Sequence, residues 1–448
     1  MAPRHWVPRE LTGEKVAPAG LSKDKHNARN HAVKAREVIT MARITKISTA
    51  VVQANFHWTY VRVYSDADGG LYGTGECFFA PGLTGIVAEF ATVLVGEDCC
   101  NIERLVEKMR WAASGTGSTA GIIWNAITGI EAALWDLKGK YLGQPVWQLL
   151  GGKFRDEVRI YADCHAAGAL ECLSPLLQPT PPSWRVSEPE RQLSRDEVIS
   201  GSAERAAEMA ERGYTALKFD LDLPGTTFDS ATGYTLTSDD IDWMADLADA
   251  IRQAVGPDVD LAMDAHWRYK PNDILQVAMQ LEPLRLMWLE DPVPPANEQA
   301  LKYLRQHTIT PIATGENLQL RQGFWRLITD DLVDIVTPDL QKAGGLAEGK
   351  KIADLCAAVD KPFAPHMIGS PIALIASAHL CLTIPNLLVC EFHAHDVPFF
   401  YELAQGDMST WFRHGWVTPP DRPGFGIELD EAVGKRYQLP GSAWFDNR

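Results

Sequence analysis

Cysteine pairs, long apolar runs and an excess of positive charge are all missing from this sequence. Its 8 cysteines form no CxxC pair and no regular spacing, which argues against a zinc site or a disulfide framework and predicts reduced packing residues in the cytoplasm. The most apolar stretch, residues 371–392, contains His379, Pro385 and Asn386, so we expect a buried helix and strand and no membrane span. A net charge of −16 argues against nucleic acid or an anionic membrane as a partner.

The N-terminus lacks the apolar core of a secretory signal peptide. Residues 1–41 are polar, carry many basic side chains and show no clear period, and we predict that they form a flexible extension. Strand-like alternation begins at Ile44, with a hairpin turn at residues 68–70, and helical periodicity then continues up to Gly143. These patterns predict an α+β domain over residues 42–155.

From residue 156 to residue 395, eight short apolar runs alternate with helical segments. The residues that end the last six runs are separated by 23 to 27 residues, about the length of one strand, one helix and two loops. A doubly wound open sheet is the alternative, but a single period with polar residues at each strand end favours a closed α/β barrel. We expect the aromatic- and proline-rich segment 396–448 to return to the N-terminal domain.

Two insertions interrupt this period, at residues 169–195 and 221–237. Both follow the carboxyl ends of predicted strands, where the active sites of such barrels lie. The insertions are therefore interpreted as lids or specificity loops, with tolerated surface insertions as the alternative.

Three carboxylates stand at equal intervals in the middle of the barrel segment. Asp264 ends the run VDLAMD, Glu290 ends LRLMWLE and Glu316 ends PIATGE. Consecutive members of this set are 26 residues apart. They are therefore expected side by side at the ends of three parallel strands. Carboxylates about 4 Å apart repel by roughly 4 kcal/mol per pair at an effective dielectric near 20, and a bound divalent cation removes this repulsion. Oxygen ligands favour Mg²⁺, with Mn²⁺ as the alternative.

Alternation along a strand also sorts inward from outward side chains, because successive residues point to opposite faces. In the run LAMDAH this rule places His266 on the same face as Asp264. In the run TALKFD it points Lys218 and Asp220 inward. A lysine that faces the barrel axis indicates a function beyond packing.

Two further strand ends add an acid and a base. Asp339 ends the run VDIVTPD and His366 ends PFAPH on the next strand, so we expect a hydrogen bond between them. Such a bond fixes the imidazole tautomer and raises its basicity, which favours catalysis over a structural histidine. Glu391 is expected to complete the ring as an acid or hydrogen-bonding group, whereas His393 and His395 are interpreted as loop or structural residues.

Several motifs give the chain a resemblance to the enolase superfamily, and within it to the mandelate racemase-like branch, over residues 42–440. The resemblance implies a modified (β/α)7β TIM-type barrel with an α+β capping domain formed by the N-terminal segment and the C-terminal tail. It also implies one Mg²⁺ on Asp264, Glu290 and Glu316, a carboxylate substrate whose α-proton is removed, and a homo-oligomer. The motifs are LLGG (149–152), Lys218 on the second strand, DAH (264–266), LEDP (289–292), TGEN (314–317), TPDLQKAGG (337–345) and PHMIGSP (365–371).

Two departures from the racemase pattern indicate the reaction. Racemases of this branch place a second lysine two residues after the first, where this chain has Asp220, so two-sided proton transfer is disfavoured. His266 instead resembles the sugar-acid dehydratases, most of all those acting on aldonates such as gluconate, galactonate and arabinonate. The resulting hypothesis is a hydro-lyase that forms a 2-keto-3-deoxy acid through a metal-stabilised enediolate. His366, oriented by Asp339, takes the C2 proton and His266 protonates the leaving hydroxyl, or the two roles are exchanged.

Three other functions compete with this hypothesis. Epimerisation or racemisation, or cycloisomerisation, of an acid sugar needs the same fold and differs only in proton delivery. A non-catalytic carbohydrate-binding barrel is disfavoured because every expected charged position is filled. A metal-dependent amidohydrolase is disfavoured because the first strand ends in Tyr161, Ala162 and Asp163 without an HxH pair.

Overall fold

The described chain begins with an antiparallel sheet. Its strands are β1 (Ile44–Gln53), β2 (His57–Ser65) and β3 (Tyr72–Cys77), paired in the order β1-β2-β3. The turn between β2 and β3 contains the expected residues Asp68, Gly69 and Gly70, and all three have positive φ. The computed structural model describes residues 41–117, 119–165, 193–221, 235–413 and 415–445. The predicted N-terminal extension, apart from Met41, and most of both predicted insertions lie outside the described residues.

Four helices follow the antiparallel sheet: α1 (Leu83–Leu94), α2 (Ile102–Ala112), α3 (Ile122–Leu142) and α4 (Val146–Leu149). Helix α3 ends at Gly143, whose φ of 63° is the left-handed conformation that closes a helix. This helix lies directly against β3. A Cβ atom on Gly73 or Gly75 would come within 2.1–2.3 Å of the α3 backbone, so glycine permits the close approach.

A parallel sheet with surrounding helices makes up the next part of the chain. Neighbouring strands pair in sequence order from β4 to β9, and β10 pairs with β4. The elements are β4 (Val158–Cys164), α5 (Arg195–Glu211), β5 (Ala216–Asp220), α6 (Ser238–Val255), β6 (Asp260–Asp264), α7 (Pro271–Leu281), β7 (Trp288–Glu290), α8 (Glu298–His307), β8 (Ile312–Thr314), α9 (Leu320–Thr329), β9 (Ile335–Val336), α10 (Leu346–Ala357), α11 (Pro371–Cys381) and β10 (Cys390–Phe392).

Single bridges, in place of a full strand, connect β9 to the chain before β10. Phe363 forms parallel bridges with Val336 on one side and with Leu387 on the other. The predicted strands over 333–339 and 362–366 are therefore much shorter than expected. Pro338, Pro362 and Pro365 have no N–H to donate to a ladder, which limits strand pairing in both segments. The pairing still runs through all eight predicted positions and returns to β4.

An apolar layer fills the interior of this parallel sheet, and each of the eight strand positions contributes one residue. The outward-facing residues Leu217, Phe219, Leu261 and Met263 pack instead in the larger core shared with the helices. The inward and outward faces predicted by alternation are therefore observed. The interior residues are Tyr161, Ala216, Ala262, Trp288, Ala313, Ile335, Ala364 and Val389.

Two buried glutamates from the N-terminal part of the fold cap helices of the barrel. Glu131 of α3 accepts hydrogen bonds from the backbone N–H groups of Leu346 and Ala347, both at 3.0 Å, at the start of α10. Glu76 of β3 accepts the backbone N–H and the hydroxyl of Ser370, which precedes α11. Burial raises the pKa of both carboxyl groups to about 7. Both acids therefore tie the capping domain to helices that follow the candidate site residues.

The C-terminal segment returns to the antiparallel sheet, as expected. Its elements are β11 (Phe412–Arg413), β12 (Trp416–Val417) and α12 (Glu431–Arg436). The β11–β12 hairpin pairs with β4 of the parallel sheet, and the chain after it contacts the antiparallel sheet. Trp444 forms a bridge with Ala50 of β1, and Glu431 accepts a 2.6 Å hydrogen bond from Arg62 of β2. Among the described residues, no helix is both long enough and apolar enough to cross a membrane.

Candidate active site at the carboxyl ends of the barrel strands

Two polar layers lie above the apolar layer of the barrel, because alternate residues of each strand point inward. The first layer consists of side chains two residues after the apolar ones along each strand, and the second consists of side chains four residues after them. The first layer holds Asp163, Lys218, Asp264, Glu290, His366 and Glu391, and the second holds His165, Asp220, His266, Asp339 and His393. These two layers hold eight of the nine predicted site residues, and the ninth, Glu316, reaches the same end of the barrel from the turn after β8.

The three predicted metal ligands form one group. Asp264, Glu290 and Glu316 each place a carboxylate oxygen within 4.8 Å of the others, and at most 8% of any of the three residues is exposed. Burial raises the pKa of Asp264, and it raises the pKa of Glu290 to about 7. Glu290 Oε1 is buried and has no hydrogen-bond partner among the described residues. This all-oxygen set, with one oxygen left over, fits a hard divalent cation.

Glu316 reaches this group from a turn that only glycine permits. Gly315 has φ +147°, and a Cβ atom there would lie 2.8 Å from the ring of Phe324 and 3.2 Å from the backbone of Thr337. Burial alone would raise the pKa of Glu316, but the nearby charges of His366 and Lys342 outweigh it and lower the pKa to about 2. Glu316 is therefore ionised and available as a ligand.

Lys218 lies at the centre of the acids. Its Nζ is 2.9 Å from Glu391 Oε1, 3.2 Å from Asp264 Oδ2 and 3.3 Å from Glu290 Oε2. Burial would lower the pKa of this lysine, but the carboxylates of Asp163, Glu290 and Glu391 outweigh it and raise the pKa well above the ordinary value. Lys218 is thus a fixed positive charge at the bottom of the site.

His366 forms the expected pair with Asp339. His366 Nδ1 lies 2.6 Å from Asp339 Oδ2, and Nε2 lies 3.2 Å from Glu316 Oε2. Burial would lower the pKa of His366, but the charges of Glu391 and Glu316 and the hydrogen bond to Asp339 raise it to about 9. Because Nδ1 donates to Asp339, Nε2 is the nitrogen that faces the carboxylate group.

His266 occupies a tight turn directly after β6. His266 and Trp267 have φ of 44° and 55°, a left-handed conformation that is uncommon outside glycine. The backbone N–H of His266 donates to Asp264 Oδ1 at 3.0 Å, and its Nε2 lies 3.7 Å from Asp264 Oδ2. Its Nδ1 lies 4.0 Å from Asp220 Oδ1, and 29% of the side chain is exposed. The turn therefore directs the imidazole back over the candidate cation site.

The capping domain contributes aromatic rings to the edge of the site. The ring of Phe78 lies 6.1 Å from that of His366, and Lys342 Nζ lies 3.8 Å from the centre of the Phe78 ring. Phe56 stacks on Phe79 at 4.1 Å and lies 5.6 Å from the ring of His393. The capping domain thus places one ring near His366, a candidate catalytic histidine, and another near His393.

Three further residues lie at the site, and sequence analysis assigned them no catalytic or ligand role. Asp163 Oδ2 lies 3.8 Å from Lys218 Nζ, and His165 Nε2 lies 3.2 Å from His393 Nε2. The interpretation of His393 as a loop or structural residue is therefore incomplete. The signal was present, since the alternation that selected Lys218 and Asp220 on the second strand selects Asp163 and His165 on the first.

Comparisons with known proteins identify the family. The N-terminal domain model of the mandelate racemase/muconate lactonizing enzyme family matches residues 17–151, and an enolase C-terminal domain-like model matches residues 201–433. The chain belongs to the enolase superfamily. Members of this superfamily bind a divalent metal, which agrees with the group formed by Asp264, Glu290 and Glu316.

Relatives within the enolase superfamily match nearly the whole chain. A D-xylonate dehydratase from Haloferax volcanii is 37% identical over 405 residues, covering 90% of this chain and 91% of that protein. A D-mannonate dehydratase from Rhizorhabdus wittichii is 29% identical over 410 residues, covering 84% and 91%. The crystal structure of a mandelate racemase/muconate lactonizing enzyme-like protein from Rubrobacter xylanophilus superposes with a TM-score of 0.80 at 38% identity, covering 91% of this chain and 100% of that one. These matches confirm the capping domain and the barrel-type α/β fold.

Proposed function

We propose that this protein is a sugar-acid dehydratase, a hydro-lyase that converts an aldonate to the 2-keto-3-deoxy acid with the help of Mg²⁺. The observation that carries the proposal is the presence of one histidine beside each end of the carboxylate group. His366 lies next to Glu316 and His266 lies next to Asp264. The relatives named D-xylonate and D-mannonate dehydratase support the same reaction.

Removal of the C2 proton is assigned to His366. The 2.6 Å hydrogen bond to Asp339 holds the proton of the neutral ring on Nδ1, so the Nε2 lone pair is available to the substrate. The same carboxylate stabilises the imidazolium that forms when Nε2 takes the proton. His366 is therefore both oriented and made more basic by its partner.

Charge that develops on the substrate carboxylate needs positive groups nearby, because an α-proton next to a carboxylate is very weakly acidic. Lys218 is buried at a fixed position among the acids and supplies one such charge. Asp264, Glu290 and Glu316 would hold Mg²⁺, or Mn²⁺ as the alternative. When bound, the cation polarises the substrate carboxylate and offsets the negative charge of the site.

Loss of the hydroxyl group is assigned to His266. The C3–O bond breaks as His266 transfers a proton to the leaving oxygen, so that water is released and the enol product becomes the 2-keto acid. Asp220 Oδ1, at 4.0 Å from His266 Nδ1, supplies the negative charge that favours the protonated imidazole before transfer. The partial exposure of His266 gives it access to protons from solvent after each turnover.

The direct test is a panel of aldonic and aldaric acids of five and six carbons, assayed for 2-keto acid formation and for product mass. Dehydration removes one water from the substrate, whereas epimerisation and cycloisomerisation leave the mass unchanged. We expect activity to disappear on exhaustive chelation and to return with Mg²⁺. Full activity after chelation would remove the cation from the proposal, and a product of unchanged mass would replace dehydration by isomerisation.

Assembly and cell compartment complete the proposal. A cytoplasmic location is supported by the free state of all seven described cysteines, six of them buried, which suits a reducing compartment. The homo-oligomer is proposed from the resemblance to the enolase superfamily. Light scattering of the purified protein measures its oligomeric state, and a monomer at micromolar concentration would contradict that part of the proposal.

A further inference from the structure

A chain of polar side chains beside the proposed catalytic groups has no part in the reaction as assigned above. His165 follows β4 and His393 follows β10, and these two strands are paired neighbours. Only 8% of His165 and 7% of His393 are exposed. Asn55, in the turn between β1 and β2, contacts His393 from the capping domain.

Asn55 sets the tautomer of His393. The Oδ1 atom of Asn55 accepts the backbone N–H of Phe56 at 3.0 Å, so its Nδ2 is the atom that faces His393 Nδ1, at 3.0 Å. An amide nitrogen donates and does not accept, so His393 Nδ1 must accept. The proton of the neutral His393 ring is therefore on Nε2. Burial lowers the pKa of His393 well below its ordinary value, which agrees with a neutral ring.

The same reasoning gives the tautomer of His165 and its contact with Asp220. His393 Nε2–H points at His165 Nε2, 3.2 Å away, so His165 Nε2 accepts and His165 carries its proton on Nδ1. That nitrogen lies 3.3 Å from Asp220 Oδ2. The other oxygen of Asp220 is the one that faces His266. Asp163 Oδ2 is the more distant neighbour of His393 Nε2, at 3.8 Å. The direction of the chain therefore runs from Asn55 to Asp220.

A second metal site is the competing interpretation, since Asp163, His165 and His393 place donor atoms within 4.8 Å of one another. Such a site would need the Nε2 lone pairs of both histidines to point at the ion. Asn55 instead directs the proton of His393 onto Nε2, and the ammonium of Lys218 lies 3.8 Å from Asp163 Oδ2. Both observations disfavour a cation there.

We infer that Asn55, His393 and His165 form a directed hydrogen-bond chain that holds Asp220 in the orientation facing His266. His393 and His165 are then positioning residues for proton delivery to the leaving hydroxyl. The inference rests on the proposed role of His266. It also connects the capping domain to the acid side of the site, since Asn55 is the first member of the chain. The base side, with His366 and Asp339, has no member in common with it.

The tautomers are tested without substrate, by ring nitrogen chemical shifts of protein labelled with ¹⁵N-histidine and loaded with Mg²⁺. We expect His393 to be protonated on Nε2 and His165 on Nδ1. The variant Asn55→Asp replaces the donor by an acceptor of the same shape and should move the His393 proton to Nδ1, whereas Asn55→Gln keeps a donor amide. A wild-type His393 protonated on Nδ1 would overturn the chain, whatever the substrate proves to be.

Kinetics separate positioning from a merely structural role. In His165→Asn, Nδ2 replaces the Nδ1 donor to Asp220, whereas His165→Phe removes it. We expect His165→Phe to reduce dehydration by about 10- to 100-fold, the size typical of lost outer-shell orientation, and His165→Asn to restore most of it. Exchange of the substrate C2 proton in D₂O should remain in both variants. Equal loss of exchange and dehydration in His165→Phe would overturn the inference.

Zinc titration tests the competing interpretation, a second metal site at Asp163, His165 and His393. Wild-type protein loaded with Mg²⁺ is expected to bind no further equivalent of Zn²⁺ that depends on His165 and His393. If the variant His393→Gln abolished a stoichiometric Zn²⁺ site present in the wild type, the cluster would be a metal site and the hydrogen-bond chain would be wrong.

Discussion

The two histidine–aspartate pairs of the site differ in geometry although they are built from the same residue types. His366 and Asp339 are joined by a 2.6 Å hydrogen bond, and 6% of the His366 side chain is exposed. His266 and Asp220 are 4.0 Å apart, and 29% of the His266 side chain is exposed. The first pair is closed and buried, and the second is looser and reached by solvent.

This difference matches the two tasks proposed for the pairs. A base that removes a weakly acidic proton benefits from a fixed tautomer and a strong hydrogen bond to its partner. An acid that must regain a proton in each cycle benefits from access to water. The looser pair also depends on more distant groups, since His165 and not His266 makes the shorter contact with Asp220.

The largest effect is expected from the closed pair. His366→Asn should abolish both C2 proton exchange and dehydration, a loss of about 10²- to 10⁴-fold in kcat for a general base. Exchange is measured by NMR in D₂O, and dehydration by 2-keto acid formation. His307→Asn, at the exposed end of α8, is the control for loss of a histidine far from the site. Retained exchange in His366→Asn would assign the base to another group.

Substitution of the histidine in the looser pair should affect a different step of the reaction. His266→Asn is expected to reduce dehydration by a similar factor but to leave C2 exchange with solvent, because the base and its partner are intact. Comparing the ratio of exchange to dehydration with that of His366→Asn assigns the two roles. Loss of exchange in His266→Asn together with its retention in His366→Asn would mean that the two histidines have exchanged roles.

Substitution of the aspartate in the shorter histidine–aspartate pair is expected to cause the larger loss of activity. Asp339→Asn removes the acceptor that fixes the His366 tautomer, and we expect kcat to fall by at least about 10²-fold. Asp220→Asn alters the carboxylate that both His165 and His266 contact, and we expect it to cost about 10- to 100-fold, mainly in dehydration. Both variants should retain the wild-type melting transition. An equal or larger loss in Asp220→Asn would contradict the view that the looser pair is the weaker coupling.

The smallest effect concerns the pH profile of kcat/KM. A base must be neutral, so activity rises with pH through the pKa of His366, which is about 9 without a cation and is expected to be lower once a cation offsets the charge of Glu316. Asp339→Asn removes one cause of the raised pKa, so its acidic limb should move to lower pH. In Asp220→Asn the limb should stay in place. A limb that moves equally in both variants would indicate that it does not report His366.

Much of this site follows from spacing and alternation in the sequence. The equal intervals of Asp264, Glu290 and Glu316 predict their convergence, because each interval is one strand and one helix. Alternation within a strand predicts that Lys218 and His266 point inward. These properties depend on local geometry, and the structure has them, although His266 reaches the site through the left-handed turn after β6 and not as part of the strand.

Other parts of the site depend on contacts that spacing does not encode. The contact of His165 with His393 joins the first and last strands of the ring, 228 residues apart, and needs the closure of the sheet. The tautomer of His393 depends on Asn55, a residue of another domain. Strand lengths were overestimated at 333–339 and 362–366 because prolines there limit pairing while the chain still places Asp339 and His366 at the site.

The left-handed turn at His266 and Trp267 has a consequence for engineering of this protein. Neither residue has the freedom of glycine at positive φ, and each such conformation costs on the order of 1 kcal/mol or more of folding stability. Selection for heat resistance alone is therefore expected to enrich glycine or asparagine at these two positions. Variants selected in this way would gain stability while losing His266, the proposed proton donor, so thermostabilisation of this barrel should leave residues 266 and 267 unchanged.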